Sequence, residues 1–529
     1  MKMNLSARVI PAVLALAILT PPPPGAMAQV RLPALGEAAA DEFTVGAERK
    51  LGDQIMREIR RDPDYIDDPL LLDYLQTIWQ PLVQAARARG DIGPETDTLY
   101  AWEPFLVRDR TINAFALPGG FVGVHLGLLA ITTSRDEIAA VLSHELSHVT
   151  QRHIARSMVN AQRQSLMGLA ALILGALAAS RSSHSGDAAQ AVIAGSQAAV
   201  TQGQLNFSRD MEREADRIGF NVLTVAGFSP TGVATMFEKL DHAAHLNDSG
   251  SYPYLRSHPL TTERIGEARA RAQMGRPKPQ STPLEHALMQ ARARVLMDAS
   301  EQALRRLQSS DAVAAAAMPS ERLGGLYASA LASTLLRDWS RADAATQQAL
   351  SIVRSSPIAD PNAERDLHFL QVQSLMARGQ GARAFEMMES YAGDESRAAL
   401  LLNAQTSLAA ANARVPKSAD ALRLSAERLQ TWVSVHPHDA GAWTQLAQNA
   451  DQLGWRLRAL RAEAESRAAL GDLSGAVDRL RAAQRQSRNA SGAADFIDAS
   501  IIEARLRDLE GQRRQLAADM KASRGSGPP

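Results

Sequence analysis

Apolar residues return at three- and four-residue steps from about Glu42 to Ala86, through Leu51, Ile55 and Ile59 and then Leu70, Leu72, Tyr74, Leu75, Ile78 and Leu82, which predicts packing helices. Between Thr98 and Leu129 the period shortens. Leu106 and Val107, then Ile112, Phe115 and Leu117, a Pro118-Gly119-Gly120 turn, and Phe121, Val122 and Val124 predict a small β-sheet. Helical spacing resumes near Ser134, where Ser134 and Asp136 flank an N-cap ahead of Ile138, Val141 and Leu142. The uncharged run Leu166 to Ala179 is too short to cross a bilayer comfortably and reads as a lid or a helical hairpin. The Gly/Ser/Ala-rich stretch after it, Ser180 to about Gln204, suggests either mobility over a cleft or core packing.

The Pro-rich segment from Gly275 to Pro283 divides this half from an Ala/Leu/Arg-rich half with almost no strand signal. The expected organisation is residues 29–275 as one domain, 276–283 as a linker, 284–516 as an all-helical domain and 517–529 as a disordered tail. In the helical half a turn residue is followed five positions later by alanine: Gly379 with Ala384, Gly454 with Ala459, Gly471 with Ala476 and, more loosely, Arg337 with Ala342. A glycine can end one helix and a small alanine lets the next approach closely, the mark of helical hairpins. The spacing of the marks is irregular, so degenerate tetratricopeptide-like repeats and a plain helical bundle both remain open.

Composition narrows the chemistry. Over 529 residues Lys+Arg and Asp+Glu are equal at 57 each and no long run of like charge occurs, which argues against a nucleic-acid partner. Cysteine is absent, so disulfides, thiolate zinc sites, iron–sulfur clusters, cysteine nucleophiles and lipidated cysteines are excluded together. Any metal must sit on histidine and carboxylate. At the N-terminus, Lys2 and Arg8 precede an apolar run from Val9 to Leu19, and Ala26-Met27-Ala28 supplies the small residues a signal peptidase reads. Export with cleavage before Gln29 is the expectation, giving a periplasmic protein with no lipid anchor and at most peripheral contact with a membrane.

His144-Glu145-Leu146-Ser147-His148 sets two imidazoles four residues apart, on one helix face, where both can bind one Zn²⁺ with Glu145 beside them. Ile138, Val141, Leu142 and Val149 make this a partly buried helix, and burying unpaired imidazoles and a carboxylate is costly unless a metal engages them. A catalytic site needs a third ligand, which here must be His, Asp or Glu. The cluster from Asp210 to Asp216 offers Glu212 as that ligand and Asp216, on the same face, as the carboxylate that orients a histidine through its other ring nitrogen. Ala215 and Gly219 are small enough to let this second helix approach the first, and Asp210 and Glu214 are expected to face elsewhere.

His144-Glu145-x-x-His148 followed by Ser208-Arg209-x-x-Glu212-x-x-Ala215-Asp216 resembles the signature of the zinc metallopeptidases that include the CAAX prenyl proteases and HtpX. An exported peptidase followed by tetratricopeptide-like repeats is similar to the periplasmic branch, the beta-barrel assembly-enhancing proteases. Asn113 to Gly120, His258-Pro259 and Arg264 share in that resemblance. It covers about Glu42 to Ala272, and the repeat half is similar in architecture only. The fold class implied is mainly α: an α+β zincin-like (gluzincin) metallopeptidase domain with a small sheet, followed by an all-α repeat domain. The resemblance further implies one zinc on His144, His148 and Glu212, Glu145 as base, and a role in outer-membrane protein quality control. Substrates would then be unfolded or misassembled polypeptides, and the repeat half would face the β-barrel assembly machinery.

His258 is the candidate oxyanion donor, with Tyr252 and Tyr254 behind it. Two alternatives stand: a fourth zinc ligand that occludes the site, or a cap on a helix before Pro259. The strand Ile112 to Leu117 is either an edge onto which an extended substrate adds or an ordinary core hairpin. The competing functional class is a repeat-based chaperone or scaffold whose metal site is quiescent.

Overall fold

The computed structural model describes residues 43–160, 208–246, 253–274, 284–310, 318–488 and 493–525. The expected signal segment, the 276–283 linker, the run Leu166 to Ala179 with the stretch after it, and Tyr252 lie outside the described residues. The first helical segment divides into α1 (Val45–Ile59) and α2 (Pro69–Arg89), separated by the two-residue strand β1 (Tyr65–Ile66). Each helix starts on a side-chain cap: Thr44 accepts from the Ala47 N–H, and Asp68 accepts from the Leu71 N–H just before Pro69.

After the short helix α3 (Pro94–Leu99) come β2 (Glu103–Val107), β3 (Ala114–Leu117) and β4 (Phe121–His125). The four-stranded sheet has the order β1-β2-β4-β3. β2 runs parallel to β4, while β1 pairs with β2 and β3 pairs with β4 antiparallel. The expected Pro-Gly-Gly turn joins β3 to β4, with Gly119 and Gly120 both at positive φ. β3 stands at the sheet edge. The apolar residues Leu126 to Leu129, expected in the sheet, instead begin helix α4 (Leu126–Ile131). A short apolar run fits a buried helix as well as a buried strand, so periodicity could not separate them.

Helix α5 (Arg135–Thr150) carries the His-Glu-x-x-His motif. Ser134 caps it by accepting from the Glu137 N–H, and nearly every residue from Glu137 to Val149 is buried. Helix α6 (His153–Asn160) follows at once, because Arg152 turns the chain with φ of 52°. Helices α7 (Arg209–Val225), α8 (Thr231–Leu246), α9 (Pro253–Ser257) and α10 (Thr262–Met274) complete this half. α7 lies against α5, and a Cβ at Gly219 would stand 2.9 Å from the Ser143 carbonyl oxygen, so only glycine permits this approach.

From Leu284 onward the described chain is entirely helical, and successive helices pack on one another. All the marks expected in this half fall at helix ends: Arg337, Gly379, Gly454 and Gly471 have φ between 61° and 79°. Each is followed by a residue whose N–H reaches back to close the last turn, as from Trp455 to the Ala450 carbonyl. Ala342, Ala384, Ala459 and Ala476 are buried at the next helix contact. The last helix, Ala493–Gly525, runs past 517, where a disordered tail was expected, and Arg513 to Ala522 are good helix formers apart from Asp519.

The apolar core does not stop at the expected boundary. One cluster contains Leu71, Ile78 and Leu142 together with Leu288, Leu326, Leu370 and Leu402. Polar ties cross the same junction. Arg292 forms a buried ion pair with Asp68 at 2.7 Å, and Arg397 bridges Asp67 at 2.8 Å and Asp439 at 2.7 Å. The Ala398 N–H donates to Asp73, and His286 sits between the Tyr74 hydroxyl at 2.6 Å and the Thr132 carbonyl at 3.1 Å.

Candidate metal centre

Helix geometry brings His144 and His148 to the same side of α5, with their Nε2 atoms 3.0 Å apart. α7 approaches that side closely at Gly219, which is two turns from Glu212, and Glu212 faces the pair. Its Oε1 lies 3.4 Å from His148 Nε2 and its Oε2 lies 3.5 Å from His144 Nε2. His258, just after α9, adds a third ring: its Nδ1 is 3.3 Å from His144 Nε2 and 3.0 Å from Glu212 Oε1. One donor atom from each of His144, His148, Glu212 and His258 falls within 4.8 Å of the others, and all four residues are buried.

The residues behind these donors hold them in place. Asp216 Oδ1 lies 3.0 Å from His144 Nδ1, while Arg264 clamps Asp216 with two hydrogen bonds of 2.6 and 2.8 Å. Arg264 also reaches Glu212 Oε2 at 2.9 Å. The Tyr254 ring packs on that of His258 with centroids 4.7 Å apart. Asp210 points away to Arg213, as expected. Glu214 does not simply face elsewhere: it meets His153 at 3.1 Å and Arg156 at 2.8 Å, and His153 in turn touches His148. Sequence reasoning passed over His153. The only available signal was a third histidine five positions after His148, a spacing that a continuous helix would carry off the ligand face.

Electrostatics follow from burial and from this carboxylate ring. Burial pulls His144 down, but the Asp216 and Glu212 carboxylates outweigh it and hold the imidazole up at about 10. His148 is pushed well below its ordinary value by burial, which Glu212 offsets only in part. For Asp216 burial acts upward, yet hydrogen bonds from His144 and Arg264 bring it down to about 2. Glu212 is likewise held far below the usual carboxylate range by His258 and the two motif histidines, against its own burial. The site thus keeps its two flanking carboxylates ionised.

These donors suit a divalent cation. Three imidazoles and a carboxylate form a nitrogen and oxygen set of the kind zinc prefers. Glu145 is fully buried, and neither of its oxygens has a hydrogen-bond partner among the described residues. His258 Nε2 comes no nearer to it than 3.6 Å. A buried carboxylate left so is costly unless it serves a bound water or substrate.

Residues 73–272 match the model of peptidase family M48, a span that contains the whole donor set. This part of the chain is an M48 peptidase domain. Relatives are similar over different extents. The beta-barrel assembly-enhancing protease of Escherichia coli K12 is 29% identical over 489 residues, 90% of this chain and 91% of its own. A Vibrio cholerae relative is 37% identical over 268 residues, so the match spans about half of each chain, 50% and 52%. The metalloprotease LoiP of Escherichia coli is 32% identical over 163 residues, 31% of this chain and 59% of its own. The chain thus carries a region similar to the M48 peptidases, and helices follow it. No described helix is long and apolar enough to cross a membrane.

Proposed function

We propose that this chain is a periplasmic zinc endopeptidase that hydrolyses peptide bonds of misfolded or stalled outer-membrane proteins. The observation that carries the reading is the convergence of His144, His148 and Glu212 beside the buried Glu145 carboxylate, whose oxygens accept no hydrogen bond among the described residues. One zinc per chain would be held by His144, His148 and Glu212. When bound, it lowers the pKa of a coordinated water and polarises a carbonyl. Glu145 takes the proton of the attacking water and returns one to the leaving amine. Asp216 keeps His144 presented through Nε2, and Arg264 holds Asp216 and Glu212 in register.

Substrate and partner follow from the surroundings and from the relatives' names. β3 is an edge strand of the sheet and packs against α5, so an extended, unfolded chain that added to it as a further strand would lie beside the motif. The Escherichia coli relative is named for β-barrel assembly, and the helical half, with its stacked hairpins, offers a surface for the outer-membrane assembly machinery or for substrate.

A second reading has one specific support. His258 places Nδ1 among the donors, as an occluding fourth ligand would, and a site so closed leaves a chaperone or scaffold with a quiescent metal. The test uses the mature protein, its zinc content and its cleavage of an unfolded outer-membrane protein, alongside His144→Ala and Glu145→Gln. The peptidase reading expects one zinc, lost with cleavage in His144→Ala, and retained zinc without cleavage in Glu145→Gln. Cleavage that persists in Glu145→Gln would sink it. Zinc with no cleavage in the unmodified protein would favour the quiescent reading.

A further inference from the structure

We infer that His153 and Glu214 are positioning residues for the metal centre, a relay that fixes the tautomer and ring orientation of His148. The inference rests on the proposed metal site.

Two ring nitrogens of the same kind face each other here: His148 Nδ1 and His153 Nδ1 are 2.8 Å apart. At that distance one must donate and the other accept. His148 presents Nε2 to the donor cluster, 3.0 Å from His144 Nε2, and a nitrogen that binds a cation carries no proton. The His148 proton therefore sits on Nδ1, which donates to His153 Nδ1. His153 must then hold its own proton on Nε2, and that atom lies 3.1 Å from Glu214 Oε2, an acceptor. Arg156 donates to the same carboxylate oxygen at 2.8 Å and keeps it ionised. Each proton in the chain from Glu214 to His148 has one consistent place.

The local backbone is arranged to make this contact. His148 is the last motif residue and His153 opens the next helix, so α5 must break between them. Arg152 supplies the break with φ of 52°, a conformation unfavourable for a side chain bearing a Cβ. It is held there by tertiary ties: its guanidinium meets Glu48 Oε2 at 2.9 Å and the Phe43 carbonyl, and Glu48 also accepts from the Tyr100 hydroxyl at 2.6 Å. Strain of this kind persists where surrounding structure over-determines it. Both His148 and His153 are fully buried, so the contact between them is shielded from bulk water.

The two motif histidines are therefore supported differently. Behind His144 stands a carboxylate, Asp216, in direct contact. Behind His148 stands a neutral imidazole, with the carboxylate one residue further away. His148 is then the less electron-rich of the two ligands, and its orientation depends on a ring that has only one useful tautomer.

The experiment measures zinc affinity by competition with a chromophoric chelator, and the visible absorption of the cobalt-substituted full-length protein. Variants are His153→Ala, His153→Gln and Glu214→Gln, each checked for native circular dichroism. His153→Ala should bind zinc about 10- to 100-fold more weakly and shift the cobalt bands. His153→Gln, whose amide oxygen can accept from His148, should recover part of the affinity. In Glu214→Gln the fold should stay intact and the cobalt spectrum should still change. Wild-type affinity and spectrum in both His153→Ala and Glu214→Gln would overturn the relay. Failure of the unmodified protein to bind zinc would refute the metal reading itself, a separate outcome.

Discussion

Replacing Gly219 by alanine isolates how far the centre depends on the approach of α7 to α5. A Cβ there would stand 2.9 Å from the Ser143 carbonyl oxygen and 3.1 Å from the His144 amide nitrogen, both rigid backbone atoms of the motif helix. Ordinary contact begins near 3.4 Å, so α7 must withdraw by about 0.5 Å. Overpacking of this kind costs about 1–3 kcal/mol, against which alanine gains about 1 kcal/mol of helix propensity. The net expectation is a loss of about 1 kcal/mol. Gly266 provides the control, since it lies inside α10 with nothing within 4 Å of the added atom, and alanine there should stabilise by about 1 kcal/mol. The assay is urea unfolding by circular dichroism for both variants, paired with the rate of substrate cleavage. Because α7 carries Glu212 and Asp216, the Gly219→Ala withdrawal should also cost roughly tenfold in rate, while Gly266→Ala leaves the rate unchanged. If Gly219→Ala gained stability as Gly266→Ala does and cleaved normally, the close helix contact would not be what sets the ligand geometry.

Three further outcomes are expected. His258→Ala should raise turnover several-fold in a cleavage assay, because the ring occupies the donor cluster; a fall in turnover would assign it to the oxyanion instead. Burial brings His286 down to about 4, so its protonation opposes folding: stability is complete above about pH 6.5 and declines as pH falls towards 4. His286 should contribute about 2 kcal/mol to the change in stability between pH 7.5 and pH 5, so the loss measured by denaturation should be smaller by about that amount in His286→Gln, and an equal loss in the variant would count against this group. Gly454→Ala, at φ of 76° with open space around it, should cost about 1 kcal/mol in unfolding experiments through backbone strain alone, and a neutral result would refute that origin.

What the sequence disclosed and what it hid divide along the range of the interactions involved. The pairing of His144 with His148 needs only the helical repeat, and the cap at Ser134 is local, so both were legible. Glu212 and Asp216 were legible because their own helix periodicity puts them on one side. The turn glycines of the helical half were readable for the same reason, since a left-handed residue at a helix end is a local demand. His153 was not, because its contact with His148 exists only through the positive φ of Arg152, and that is imposed by Glu48 and Tyr100 from distant parts of the chain. Glu214 was misjudged as a consequence: away from the donor cluster is correct for its direction on α7, yet the ring it meets leads back to His148. Leu126 to Ile131 went unread as a helix because a short buried apolar run has no polar face to reveal its period.

The joint between the two halves has a consequence for exchange of parts. Asp67, Asp68 and Asp73 lie in or next to the N-terminal part of α2, and their partners Arg292, Arg397 and the Ala398 amide come from helices hundreds of residues later. A chimera that grafts the helical half of a relative onto this peptidase would place three acidic groups against an unrelated surface. Such a graft must carry the carboxylates and their partners together, because the two halves meet as a matched pair and not as interchangeable modules.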